Sequence, residues 1–250
     1  MPFTFSHPAL VLPLTVFPKK TYSLTGLIVG STVPDFEYFI RMSTSSLYSH
    51  TWPGVLWFDI PLGIALCFLY HQVVKDMLIH NLPQQYFRRF APFTNFNFFE
   101  YFRQNYFTVI ISIGVGAASH IIWDGFTHYD GIFVPYIPWL EKPILIFGYP
   151  VFIYQILQHL STVVGGVVVL WVLLKFPKTN FTEQKTNKQY WPLLFGITAI
   201  TLLLRTFLGS TYRLIDYLII AAMTGSMSAL IITPLLIKNL KIAIIKNKVK

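Results

Sequence analysis

Hydropathy along this chain changes in long blocks and lacks the short alternation of a soluble fold. Apolar runs cover about residues 54–74, 107–123, 163–174, 191–208 and 214–237, and polar or basic stretches separate them. Together with their flanks these runs predict five membrane-spanning helices. The first run tolerates Asp59 and Pro61 because both lie close to its beginning. Residues 24–40 start apolar but then meet Pro34, Asp35 and Glu37. Two carboxylates and a proline argue against a full span there and predict a half-buried helix whose polar turn lines a site. Residues 84–107 interleave Phe and Tyr with Arg88, Arg89, Glu100 and Arg103, the pattern of a segment lying among lipid headgroups. Residues 129–158 carry Pro135, Pro138, Pro143 and Pro150, which exclude one regular helix and leave short interfacial helices or a re-entrant lid. The expected fold class is all-α: a multi-pass transmembrane helical bundle of about five spans plus interfacial helices. It forms a single membrane-embedded domain over 1–250, with an outer-face ligand-bearing segment (1–53), a core with spans one to three (54–174), and the last two spans with a basic tail (175–250).

Composition narrows the partners. With 54% hydrophobic and only 12% charged residues the chain is far from soluble composition. A net charge of +9 would suggest nucleic acid in a soluble protein, but here the cations fall between apolar runs, so membrane lipids are the expected partners and nucleic acid is not. Thirteen of the nineteen Lys and Arg residues lie in the segment after the first span, in the loop from Lys175 to Lys188, and in the tail from Lys238. With five spans these three segments share one side, expected to be cytoplasmic. The opening M-P-F-T-F-S-H-P-A-L lacks a basic, then apolar, signal pattern, so Met1 is expected to stay. Cys67, the single cysteine, cannot form an intrachain disulfide.

The chemistry concentrates in S-H-I-I-W-D-G-F-T-H, where His120, Asp124 and His128 follow one another at steps of four. On a helix such residues stack along one face, a recurrent arrangement of metal ligands. The same side chains can instead cap a helix end and bond one another. His7 precedes Pro8 at the predicted start of a short helix, and Pro34 fixes the turn that presents Asp35. Glu37 suits a helix N-terminus complementing its dipole. His50 stands just outside the first span, and Asp59 is either an outer support of a metal or an interfacial acid. His71 and His80, at the other end of that span, are left out of the site. His7, Asp35, His50, Asp124, His128 and His159 all fall on the non-cytoplasmic side, with His120 one turn into the membrane. The charge count does not depend on the ligand search, so their agreement argues for one cluster.

The opening M-P-F-T-F-S-H-P-A, the V-P-D-F-E-Y-F turn, His50-Thr51, H-I-I-W-D-G-F-T-H and Q-H-L-S-T together resemble a family of bacterial membrane proteins, domain-of-unknown-function family 4184, over most of residues 1–165. The ligand order is also similar, more distantly, to zinc-dependent phospholipases C and P1-type nucleases and to membrane-bound metal-dependent hydrolases. That resemblance implies one metal on Asp35, His50, His120 and Asp124, a second on His7 sharing Asp124, and a third on His128 and His159. It departs where those enzymes use an N-terminal tryptophan amine and a late glutamate, since this chain has Met1 and Val163. One or two divalent ions, expected to be zinc, fit the remaining pattern.

The expected function is that of a membrane-bound metal-dependent hydrolase acting on phosphoester or lipid-like substrates, with Asp35 and Asp124 bridging metals or orienting water. The resemblance and the charge pattern place it in a bacterial inner membrane, with the metal cluster on the non-cytoplasmic side and the C-terminus in the cytoplasm. A metal or ion transporter would need broken helices in two repeats, and no internal repeat is visible. A non-catalytic membrane protein with a structural metal site would need four closed ligands.

Overall fold

The computed structural model describes residues 3–43, 45–208 and 214–248. Met1 lies outside them, as do the side chains of the tail lysines from Lys241 onward. In chain order the helices are α1 (Pro8–Val11), α2 (Leu24–Gly30), α3 (Phe36–Arg41), α4 (Trp52–Asn81), α5 (Gln84–Phe90) and α6 (Phe98–Thr127). A hairpin, β1 (Pro143–Ile146) with β2 (Tyr149–Phe152), precedes α7 (Ile153–Lys175), α8 (Tyr190–Leu208) and α9 (Leu214–Lys248). Among the described residues five helices are long and apolar enough to cross a membrane: α4, α6, α7, and the stretches Tyr190–Phe207 and Tyr217–Leu240 of α8 and α9. The fold class is all-α and compatible with an integral membrane protein.

At 30 residues each, α4 and α6 run about 45 Å, longer than the roughly 30 Å hydrocarbon core. Helices of this length reach past such a core at their ends, and the ligand-type residues of α6 stand in its last turns. Local chemistry sets the starts. Ser23 caps α2 by accepting from the Gly26 N–H at 3.2 Å, and Thr51 caps α4 by accepting from the Gly54 N–H at 3.0 Å, with Pro53 in the first turn. Asn105 leaves helical geometry (φ −132°, ψ 26°) and kinks α6.

The chain divides into two compact units, and the kink falls at their boundary. The first comprises Met1–Phe36, Leu47–Ala65 and Gln104–Lys175. In it α2 lies against α6 with almost no side chain between them. A Cβ on Gly30 would stand 2.2 Å from the Ile113 carbonyl oxygen, and one on Gly116 would stand 2.6 Å from that of Leu27. Only glycine permits this approach. Likewise a Cβ on Gly165 of α7 would stand 2.8 Å from the Ser6 carbonyl oxygen, so α7 supports the N-terminal turn directly. The Ser6 hydroxyl donates to the Thr162 carbonyl at 2.9 Å, and the Phe3 N–H donates to the Thr162 hydroxyl at 3.0 Å.

The second unit comprises Glu37–Ser46, Leu66–Arg103 and Phe176–Lys250. Tyr190, Leu194, Ala229 and Ile237 of α8 and α9 form its core with Met77 and Leu78 of α4. The loop after α7 is tied to the end of α4: the Trp191 indole donates to the Asn81 carbonyl at 2.7 Å, and the Asn187 N–H donates to the Asn81 side chain at 2.7 Å. The Arg89 guanidinium also donates to the Phe176 carbonyl. Basic and polar residues that look like a free loop are thus partly structural.

The hairpin replaces the short helices expected over part of 129–158. A 3₁₀ turn does form at Val134–Tyr136, but Pro143–Phe152 folds as an antiparallel ribbon. Phe147 (φ 50°) and Gly148 (φ 83°) both have positive φ, the two-residue turn whose twist matches paired strands. A two-stranded ribbon leaves outward backbone positions unpaired, so Pro143 and Pro150 interrupt a helix without preventing this pairing.

Candidate metal centre

Three local structures converge on one point. The 3₁₀ turn Val33–Asp35, opened by Pro34, follows α2 and carries Asp35. The segment before the Thr51 cap carries His50, and the last turns of α6 carry His120 and Asp124. The glycine contact between α2 and α6 sets the separation, because Gly116 stands one turn before His120.

Asp35, His50, His120 and Asp124 each offer one ligand atom, and all four atoms lie within 4.8 Å of one another. His50 Nε2 is 3.6 Å from Asp35 Oδ1 and 3.5 Å from Asp124 Oδ2, while His120 Nε2 is 3.5 and 3.3 Å from the same two oxygens. These four separations exceed good N–H···O distances. Ligands about 2.0–2.2 Å from a tetrahedral ion stand about 3.3–3.6 Å apart, matching them. Asp35 and His120 are fully buried, and among the described residues Asp35 Oδ1 and His120 Nε2 have no hydrogen-bond partner. Two buried carboxylates carry a charge that one divalent cation balances, and burial without such compensation is costly. The four residues can hold a metal ion.

Neighbouring groups orient the ligands. His120 Nδ1 lies 2.8 Å from the Ser31 carbonyl oxygen, an acceptor only, so Nδ1 carries a proton and Nε2 is the nitrogen that faces the cluster. His50 Nδ1 lies 3.0 Å from the Ser49 hydroxyl. The Thr4 hydroxyl donates to Asp35 Oδ2 at 2.6 Å, leaving Oδ1 for the centre. Sequence reading missed Thr4, Ser31 and Ser49; a hydroxyl or a backbone carbonyl has no pattern of its own.

The other expected ligands divide. His7 is buried, stacks on the His120 ring with centroids 3.8 Å apart, and holds Asp124 Oδ1 at 3.2 Å through Nε2. His128 Nδ1 stands 3.7 Å from the same oxygen and 3.2 Å from the Asp124 backbone carbonyl. Asp124 therefore turns one oxygen to the cluster and the other to His7 and His128. His7 Nδ1 and His128 Nε2 have no hydrogen-bond partner among the described residues. His159 is exposed on α7 and makes no hydrogen bond or ion pair with this group among the described residues. Its segment contributes through Thr162, which anchors the turn bearing Thr4 and His7.

Glu37 lies in the first turn of α3 and pairs with Arg41 at 2.9 Å. His71 stacks on Phe98, and His80 Nδ1 accepts from the Lys185 N–H. Asp59 is fully buried at the end of a π-helical turn, Val55–Asp59.

Burial favours the uncharged form of Asp35, yet the His120 and His50 imidazoles beside it hold its carboxyl well below the usual carboxylate range. Burial lowers the pKa of His7, helped by the adjacent His120, and burial lowers that of His128. His50 goes the other way: burial lowers its pKa, but the Asp124 and Asp35 carboxylates beside it together outweigh burial and raise it. Access is one-sided, since the side chains of His50 and His128 are 17% and 20% exposed while those of Asp35 and His120 are sealed.

No match to the chain is found among curated proteins or among solved structures. One family model matches residues 1–239, nearly the whole length, and the chain belongs to that family, described as Domain of unknown function (DUF4184).

Proposed function

We propose that this chain is a membrane-bound metal-dependent hydrolase, with zinc at Asp35, His50, His120 and Asp124, acting on phosphoester or lipid-like substrates. The observation that carries the reading is the set of four separations of 3.3–3.6 Å among donors oriented by Ser31 and Thr4. A divalent cation there supplies Lewis acidity toward a scissile oxygen and acidifies water at neutral pH. The chain's own groups do the rest. Asp35 and Asp124 balance the charge, and Asp124 Oδ1 can orient water on the open side beside His128. His7, stacked on His120, keeps Asp124 in that orientation, and its Nε2, the nitrogen that faces Asp124 Oδ1, could instead hold a second ion shared with that oxygen. The opening at His50 and His128 admits a substrate, and its position at the end of a spanning helix suits a molecule with an apolar tail.

The closed count of four protein donors also favours a structural metal site, which would need no access. The deciding experiment measures metal by mass spectrometry in the intact protein and screens phosphomonoesters, phosphodiesters and phospholipids with and without chelator. Zinc at one or two ions per chain with chelator-sensitive hydrolysis supports the enzyme; metal whose loss unfolds the protein, with no hydrolysis, supports the structural site. Absence of bound metal even after incubation with zinc sinks both. We place the protein in a bacterial inner membrane with the cluster on the non-cytoplasmic face. Cysteines at Ser45 and Thr186 should label from opposite faces, and labelling of both from one face overturns that placement.

A further inference from the structure

The hairpin β1–β2 presents an apolar surface that the chain itself does not cover. Every residue of Pro143–Ile146 is exposed, and at the tip Phe147 is 98% and Tyr149 74% exposed. Successive residues of a strand face opposite sides, so an all-apolar strand has no side made for water. A ribbon docking on a flat protein surface would keep one polar face, but P-I-L-I-F-G-Y-P-V-F offers only the Tyr149 hydroxyl as a side-chain polar group. Such surface is a liability unless something apolar surrounds it.

The base of the hairpin is fixed and continuous with a membrane span. β2 runs into α7 at Ile153 without an intervening residue, the Ile153 N–H donates to the Lys142 carbonyl at 3.2 Å, and the Tyr154 N–H donates to that of Leu140 at 3.1 Å. Leu140, Val134, Ile153 and Tyr154 form a small core against Phe126 of the metal-site helix. The exposed surface of α7, including Val163 and Val167, continues the same apolar character. We propose that the hairpin inserts into the bilayer leaflet that receives the α7 N-terminus, beside the candidate metal centre. The outward backbone groups of a two-stranded ribbon cannot enter the hydrocarbon centre without partners, so its depth is the headgroup and acyl boundary, about 5–10 Å in. Pro143 and Pro150 remove two backbone donors that would otherwise need satisfying. Lys142 at the base can keep its ammonium among the headgroups.

Depth-dependent quenching tests this on the full chain. In a Cys67→Ala background, Phe147→Cys carries an environment-sensitive fluorophore in single-chain nanodiscs of phosphatidylethanolamine and phosphatidylglycerol, with Thr186→Cys as the aqueous reference. The expected result is a blue-shifted Phe147 probe that loses most of its emission to lipids nitroxide-labelled near the top of the acyl chain and little to iodide, while the Thr186 probe does the reverse. Iodide quenching equal to the reference would place the hairpin in water and overturn the proposal. Shielding from both quenchers would place it against protein and overturn it equally. Tyr149→Cys, at the other exposed tip position, repeats the measurement if the first variant fails to yield monodisperse protein.

Discussion

His120 Nδ1 stands 2.8 Å from the carbonyl oxygen of Ser31, and that contact decides what the other ring nitrogen can do. A carbonyl can only accept, so Nδ1 carries a proton and Nε2 is the nitrogen that faces Asp35 and Asp124 and could bind a metal. Replacing His120 by Ala should cut metal occupancy to below about one-tenth, a loss expected for a direct ligand. The helix itself remains held by Ile113 and Ala117, both fully buried. Mass spectrometry beside size-exclusion chromatography checks this; a variant that aggregates while keeping its metal would make His120 a packing residue.

Thr4 acts one step further out. Its hydroxyl donates to Asp35 Oδ2 at 2.6 Å and leaves Oδ1 to the cluster. Thr4→Val keeps the shape and removes the donor, so metal affinity should weaken about 10–100-fold. Thr4→Ser should restore most of it. Competition against a chelator of known strength measures both, and unchanged affinity in the valine variant would detach Thr4 from the site.

The glycine contact between α2 and α6 is the third test. A Cβ at Gly30 would overlap the backbone of Ile113, which cannot swing aside as a side-chain tip can. Gly30→Ala should therefore cost about 1–3 kcal/mol and weaken metal binding, because Asp35 and His120 ride on the two separated elements. Gly196→Ala, where nothing lies within 4 Å, is the matched control. Reversible unfolding in mixed micelles reads the stability, and equal behaviour of the two variants would remove the contact from the argument.

What the sequence made legible follows from periodicity and from charge. Five apolar blocks became five helices because burial in lipid requires long uninterrupted hydrophobicity, and His120 with Asp124 could be paired because a four-residue step holds on any helix. Asp35 and His50 joined them through the polar turn and the charge count, two signals that survive without knowing the packing. Thr4, Ser31 and Ser49 were hidden because their contribution is one hydroxyl or one carbonyl placed by tertiary structure. The hairpin was hidden because four prolines among apolar residues exclude a helix without specifying a ribbon, and only positive φ at Phe147 and Gly148 makes the turn. His159 was drawn in by the expected topology and by resemblance; the helix that carries it starts ten residues before the apolar run and leaves it exposed.

Protonation should compete with the metal in a definite direction. The Asp124 and Asp35 carboxylates beside it raise the pKa of His50, which favours a proton that an arriving cation must displace. The pKa values of His7 and His128 are lowered, so they contribute little to this release. Apparent affinity should fall as pH drops through the range in which the imidazoles facing Asp35 and Asp124 take up protons, by about tenfold per pH unit for each proton displaced. Calorimetry in buffers of different ionisation enthalpy counts the proton directly. Release of none between roughly pH 8 and pH 5.5 would contradict the assignment of imidazoles as ligands in this cluster.

Asp124 divides its two oxygens, and that division gives the last prediction. Oδ2 faces His50 and His120 at 3.5 and 3.3 Å, whereas Oδ1 is held by His7 at 3.2 Å with His128 at 3.7 Å. Removing Asp124 takes an oxygen from both sides, so Asp124→Ala should lose bound metal and any hydrolysis together. His7→Ala touches only the second side. If His7 merely positions Asp124, this variant should retain the wild-type number of ions while activity falls. If His7 is itself a ligand of a second ion, a wild-type content near two per chain should drop to about one. Metal counts on wild type and both variants, each normalised to folded protein, distinguish these cases without needing a substrate. A wild-type metal content unaffected by Asp124→Ala would place the ion elsewhere and end the reading of this cluster as its centre.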